Sequence, residues 1–113
     1  MPGIRPISRR LLPHTIQYEK YIGDDGWGSG GYEEAIEVKR VRVEPKSSIR
    51  RNNTDEQVEG DYILVIDALN SKPYVEPKEK DRITFNGKTL EVKESKTFFA
   101  FSDKVHHVEV GLI

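Results

Sequence analysis

Two alternating runs, Arg82-Ile83-Thr84-Phe85 and Lys88-Thr89-Leu90-Glu91-Val92, are joined by Asn86-Gly87. That dipeptide favours a type I′ turn, because both central residues need positive φ and Asn and Gly tolerate it at least cost. A two-residue turn sets the register: Phe85 faces Lys88, Thr84 faces Thr89, Ile83 faces Leu90 and Arg82 faces Glu91. One face then gathers Ile83, Phe85, Leu90 and Val92, with the stem of Lys88 at the turn. The other gathers Arg82, Thr84, Thr89 and Glu91, including a Thr–Thr pair and an opposite-charge pair of roughly 0.2–1 kcal/mol each. An isolated hairpin is marginal in water, so this one needs further strands over its apolar face.

The remaining chain supplies them. His14 to Ile22 alternates weakly and reads as a first strand. Tyr32 to Pro45 is a long strand whose apolar phase changes across Lys39-Arg40, from Ile36 and Val38 to Val41 and Val43, which predicts a β-bulge or bend. Tyr62-Ile63-Leu64-Val65-Ile66 is the most apolar run and predicts a strand buried on both faces. Lys96 to Phe101 predicts another strand, with Phe98, Phe99 and Phe101 in the core. Val105 to Ile113 alternates, with His106, Val108, Val110 and Leu112 on one face. Six to seven short strands separated by turn signals predict an all-β fold, a small antiparallel barrel or sandwich.

Three segments stand outside this pattern. Residues 1–13 hold Pro2, Pro6 and Pro13, which exclude a stable helix. Ile4, Ile7, Leu11 and Leu12 give this arm something to bury, either on its own domain or on a neighbouring subunit. In residues 23–31 five of nine are glycine, around the sole Trp27; this marks a loop. Residues 47–60 are polar, with Arg50 and Arg51 first and Asp55, Glu56 and Glu59 after, and read as a long exposed loop.

Hydrophobic residues make up 35% and charged residues 33% of the 113 residues, so one domain spanning 1–113 is expected to have a lean core and a wet outer face. The formal net charge of −1 gives no general attraction to nucleic acid or membrane. Cysteine is absent, which excludes disulfides and thiolate metal sites. No run approaches the roughly 20 apolar residues of a membrane span. The expectation is a soluble protein made in a cytoplasm.

Catalytic and cofactor chemistry find little support. The glycine-rich stretch lacks the Gly-Lys-Ser/Thr ending of a phosphate loop and leads into a strand rather than a helix. Asp24-Asp25 lacks the spaced oxygen ligands of a calcium loop. Alternation sends His106 and His107 to opposite faces, so the two are not expected to converge on one metal. Glu33-Glu34 reads as solvated charge. Lys39, Arg40 and Arg42 read as the polar face opposite the valines. No enzyme, cofactor or metal is expected; an interaction module fits better.

Several fragments carry a likeness: Arg9-Arg10-Leu11-Leu12-Pro13-His14-Thr15, the Gly23 to Gly28 turn, Arg42-Val43-Glu44-Pro45, Asp67-Ala68-Leu69-Asn70-Ser71-Lys72-Pro73, the hairpin, and His106-His107-Val108-Glu109-Val110. In this order and spacing the chain resembles the minor capsid proteins encoded in phages and prophages of Gram-positive bacteria. In size and strand pattern it is similar to the head-completion (stopper) proteins of long-tailed phages, a fold-level analogy. The resemblance implies a non-enzymatic virion protein at the head–tail neck, assembled in the host cytoplasm. It implies a ring of like subunits below the portal, between portal or adaptor and tail-completion proteins, around packaged DNA that is not read by sequence. The interface residues expected on that basis are Trp27 and Tyr32 at the glycine loop, and Arg50, Arg51, Asp55 and Glu56 in the polar loop. Alternatives are a decoration or tail-joining protein and, more distantly, a nucleic-acid- or carbohydrate-binding barrel.

Overall fold

The computed structural model describes residues 5–23, 31–46, 60–99 and 103–113. Among them are eight strands: β1 (His14–Glu19), β2 (Tyr21–Gly23), β3 (Gly31–Tyr32), β4 (Ile36–Pro45), β5 (Tyr62–Asp67), β6 (Arg82–Phe85), β7 (Lys88–Phe99) and β8 (Val105–Leu112). Six of them close an antiparallel barrel in the order β1-β4-β5-β8-β7-β6, with β6 returning to pair with β1. Strands β2 and β3 form a separate two-stranded ribbon. Closure removes the sheet edges that would otherwise pair with other chains.

The hairpin has the register its turn demands: Arg82, Ile83, Thr84 and Phe85 pair with Glu91, Leu90, Thr89 and Lys88. Asn86 and Gly87 have φ of 53° and 77°, as a type I′ turn requires. The Thr84 and Thr89 hydroxyls lie 3.1 Å apart on the outer face. Arg82, however, directs its guanidinium to Glu19 on β1, 3.3 Å from Nε, rather than to Glu91. Barrel closure brings β1 within reach and offers the ion pair a less exposed setting.

The interior is filled by alternate side chains from each strand. Ile16, Val38, Leu64, Ile66, Ile83, Val92, Val108, Val110 and Leu112 are all essentially inaccessible. Each such side chain contributes about 1.5–3 kcal/mol of burial. The phase change in β4 is a bulge: His14 pairs with Val41 but Thr15 with Lys39, leaving Arg40 unpaired at φ 65°. The extra residue lets Val38, Val41 and Val43 all face inward.

The structure corrects several expectations. The first strand divides at Lys20, where Tyr21 leaves the barrel to start the ribbon. Tyr32 belongs to that ribbon, and β4 begins at Ile36, which is exposed. The segments expected as two strands at 88–94 and 96–101 are one, β7, with a register slip between Val92 and Glu94. Phe98 is half-buried and stacked on His107, and Phe99 is 54% exposed, so neither fills the core. This follows because β7 outruns β6, whose pairing ends at Glu91, so no facing wall encloses them. Phe101 lies outside the described residues.

The arm lies on its own barrel. A single 3-10 turn at Arg9–Leu11, capped by the Ser8 hydroxyl, precedes Leu12, which is 1% exposed. Ile7, Leu11 and Leu12 line one cleft together with the outward Val65 of β5. The continuous apolar run of β5 is thereby used on both faces: Leu64 and Ile66 point into the barrel, and Val65 lies beneath the arm.

Candidate interaction surface: two loop bases and the docked arm

Residues 24–30 lie in sequence between β2 and β3, and the described residues show how that ribbon is held. Asp81, 3% exposed, is its anchor. Its carboxylate accepts from the Tyr18 hydroxyl at 2.6 Å, the Tyr21 amide at 2.7 Å and the Lys78 amide at 2.8 Å. Burial first, and then the bond to Asp81, push the Tyr18 phenol well above its usual range. The bond to the Tyr21 amide turns the chain out of β1 into the ribbon. Tyr21 and Tyr32 meet edge to face with centroids 5.4 Å apart, and the Arg82 guanidinium lies 3.7 Å from the centre of the Tyr32 ring. A cation on an aromatic face contributes about 0.5–2 kcal/mol. Tyr32 is thus half-buried at the base of the ribbon.

The residues that flank 47–59 in sequence are equally well held. The Lys46 amide donates to Asp61 O at 2.8 Å, and the Asp61 amide to Leu112 O at 2.6 Å. Gly60 has φ 147° and approaches β8 so closely that a Cβ would stand 2.7 Å from Leu112 N and 2.8 Å from Leu112 O. Only glycine fits there. Chain entry and exit are therefore tied side by side against the end of β8.

The arm is held by polar clasps at its start and by apolar contacts further on. Asp67, fully buried, accepts from the Ile7 amide at 2.8 Å and from the Leu69 and Asn70 amides of the following turn. Asn70 Nδ2 donates to Ile7 O at 2.7 Å, and His106 Nε2 lies 2.8 Å from Arg5 O. Between arm and barrel a cleft of about 350 Å³ is lined by Ile7, Leu11, Leu12, Arg42, Val65, His107 and Glu109. Arg42 reaches Glu44 at 3.1 Å.

His106 and His107 do not diverge as strict alternation predicts. Phe98 pairs with His107 but Phe99 with Val105, so His106 is the extra residue of a second bulge. Both rings consequently lie on the outer side, with their Nδ1 atoms 2.9 Å apart. Among the described residues no group of three or more His, Cys, Asp and Glu side chains converges to hold a metal. His14 accepts from the Val43 amide through Nδ1 at 3.0 Å; burial, then the Arg42 charge, lower its pKa below the usual imidazole value.

Of the six residues singled out in the sequence, the structure describes Tyr32; Trp27, Arg50, Arg51, Asp55 and Glu56 lie outside the described residues. Sequence reasoning missed the two buried carboxylates. Asp67 had a local signal, since an Asp that turns its side chain onto amides two and three residues ahead is an Asx turn. For Asp81 the one local partner is the Lys78 amide, and its partners Tyr18 and Tyr21, 63 and 60 residues away, left no mark in the sequence.

A closed barrel with a docked arm, a ribbon anchored by Asp81 and a tied pair at Lys46 and Asp61 defines an antiparallel β-barrel scaffold. The particular family follows from sequence: the chain belongs to the minor capsid protein family, whose model matches residues 8–112. This is a virion structural component. No similar protein was found among curated sequences, and none among solved structures.

Proposed function

We propose that this minor capsid protein is a head–tail connector subunit of a bacteriophage, of the stopper kind, forming a ring below the portal and helping to retain packaged DNA. The observation that carries the reading is the tied base of residues 47–59. A rigid barrel that holds both ends of a charged excursion beside one another suits a part that reaches a neighbour while its own body stays fixed. Arg50 and Arg51 precede Asp55 and Glu56, which suits head-to-tail contact between like copies, a heterologous interface that closes into a ring. Trp27, which lies in sequence between the two strands of the ribbon anchored by Asp81, contacts the adjoining portal-side or tail-side ring. The net charge of −1 suits a channel that DNA crosses without being gripped.

Deletion of residues 48–59, which leaves Gly60 and the Asp61–Leu112 hydrogen bond in place, tests this. The expected result is a folded barrel that no longer assembles with the portal protein and particles that lose their DNA. Unchanged assembly and DNA retention refute the reading. Electron microscopy of purified virions supplies the second arm: density over the capsid lattice rather than at the neck indicates a decoration protein instead.

A further inference from the structure

The two adjacent imidazoles of β8 touch the arm at one end and a carboxylate at the other. His106 Nε2 faces Arg5 O at 2.8 Å, the two Nδ1 atoms face each other at 2.9 Å, and His107 Nε2 lies 3.6 Å from Glu109 Oε2. The His107 ring is held flat against Phe98, with centroids 4.8 Å apart and planes 5° from parallel, so it cannot swing freely. We propose that this pair is a proton-operated clasp on the start of the N-terminal arm: it holds Arg5 to the barrel while the two rings share at most one excess proton, and loosens that end of the arm when each ring carries its own.

The reasoning is a count of N–H groups. A carbonyl oxygen only accepts, so Arg5 O requires a proton on His106 Nε2. The Nδ1–Nδ1 contact requires one proton between two nitrogens. With both rings neutral, His106 Nδ1 is bare and accepts from His107 Nδ1–H, and both contacts are made. One added proton completes the third contact, because His107 Nε2–H then faces Glu109. Exchanging the two rings' roles gives the same total. A second added proton has no place: two N–H groups then point at each other across 2.9 Å on two cations. The rings must part, and His106 takes its bond to Arg5 O with it.

The other charges around the pair fit this count. Asp67 pairs with His107 across β5, but its carboxylate is engaged by three amides. Arg42 of β4 lines the same cleft and is paired with Glu44 at 3.1 Å. Lys96 of β7 pairs with Glu109, and Arg5 is on the arm itself.

Solution NMR of the full chain tests the clasp. Ring nitrogen shifts report the protonation of each imidazole, and exchange of the Ile7 amide, normalised to barrel amides, reports arm docking. Between about pH 8 and pH 5, where imidazoles titrate, Ile7 protection is expected to fall roughly tenfold as the second ring protonates, in keeping with the loss of one charged hydrogen bond. His107→Asn keeps a side-chain amide where Nδ1–H stood and can either donate or accept, so its Ile7 protection is expected to stay level. His106→Gln keeps the donor to Arg5 O and is likewise expected to be level. The proposal is overturned if Ile7 stays protected with both rings charged. It is also overturned if His107→Asn loosens in step with the wild type, which assigns the release to Asp67 or to general acid loosening, or if either variant is loose at every pH.

Discussion

Replacing Asp81 with Asn is expected to reveal how much of the fold hangs on one carboxylate. In the native chain one oxygen accepts from Tyr21 N and the other from both the Tyr18 hydroxyl and Lys78 N. An amide has a single accepting oxygen. Placed toward Tyr18 and Lys78, it turns its NH2 onto the Tyr21 N–H, leaving a donor unsatisfied and two bonds without ionic strengthening. One stranded donor costs about 1–3 kcal/mol, and bonds to a charged group exceed neutral ones by up to about 1 kcal/mol each. The loss is therefore about 1–5 kcal/mol for Asp81→Asn and about 3–9 kcal/mol for Asp81→Ala, which strands all three donors. Against a total stability of about 5–15 kcal/mol the second is close to unfolding. Urea denaturation followed by circular dichroism measures it: with a slope of about 1–3 kcal/mol/M, a loss of 3 kcal/mol moves the midpoint by about 1–3 M. A double-mutant cycle with Tyr18→Phe isolates the shared bond, with a coupling of about 1.5–3 kcal/mol expected. A midpoint for Asp81→Asn indistinguishable from wild type refutes the reasoning.

Gly60→Ala is expected to cost about 2–4 kcal/mol, from left-handed strain and from the displaced Asp61–Leu112 bond, with faster amide exchange at Asp61 as its local mark. Asn86→Ala is expected to cost about 1–2 kcal/mol because Ala resists the φ of 53° at the turn, whereas Asn86→Gly stays within about 0.5 kcal/mol; thermal melts compare the two. The phenols of Tyr18 and Tyr74 are both raised, chiefly by burial and then by bonds to Asp81 and Glu76. Their contribution is present below about pH 10, the unfolded value, and is lost as pH rises beyond it, because the unfolded chain ionises first. Stability measured from pH 9 to 11 is expected to fall, and to fall less in Tyr74→Phe.

How far the fold could be read from the sequence depended on distance along the chain. The hairpin register was legible because Asn86-Gly87 fixes it within a few residues. The bulge at Arg40 was legible because it shifts the valine phase. The two-sided burial of β5 was legible from its unbroken apolar run, but not that the arm provides the outer cover, since that contact joins distant segments. The His106 bulge escaped notice because the slip lies in the pairing with Phe98 and Phe99 and leaves no mark on the alternation of β8 itself. Phe98 and Phe99 were misplaced for a related reason: aromatic content signals burial only where an opposing wall exists, and β6 is too short to supply one. Of the candidate site, Tyr32 is placed, and its neighbours Arg82 and Tyr21 were not foreseen, because their contact depends on how the ribbon folds against the barrel.

The neighbouring entry and exit of residues 47–59 make this point of the barrel a natural graft site. Lys46 and Asp61 are hydrogen-bonded to one another, so the span between them is already closed, whatever its length or content. Doubling the length of such a span costs only about 0.6 kcal/mol of closure entropy. An epitope or fluorescent peptide spliced in after Ser48 would therefore ride on an unaltered barrel.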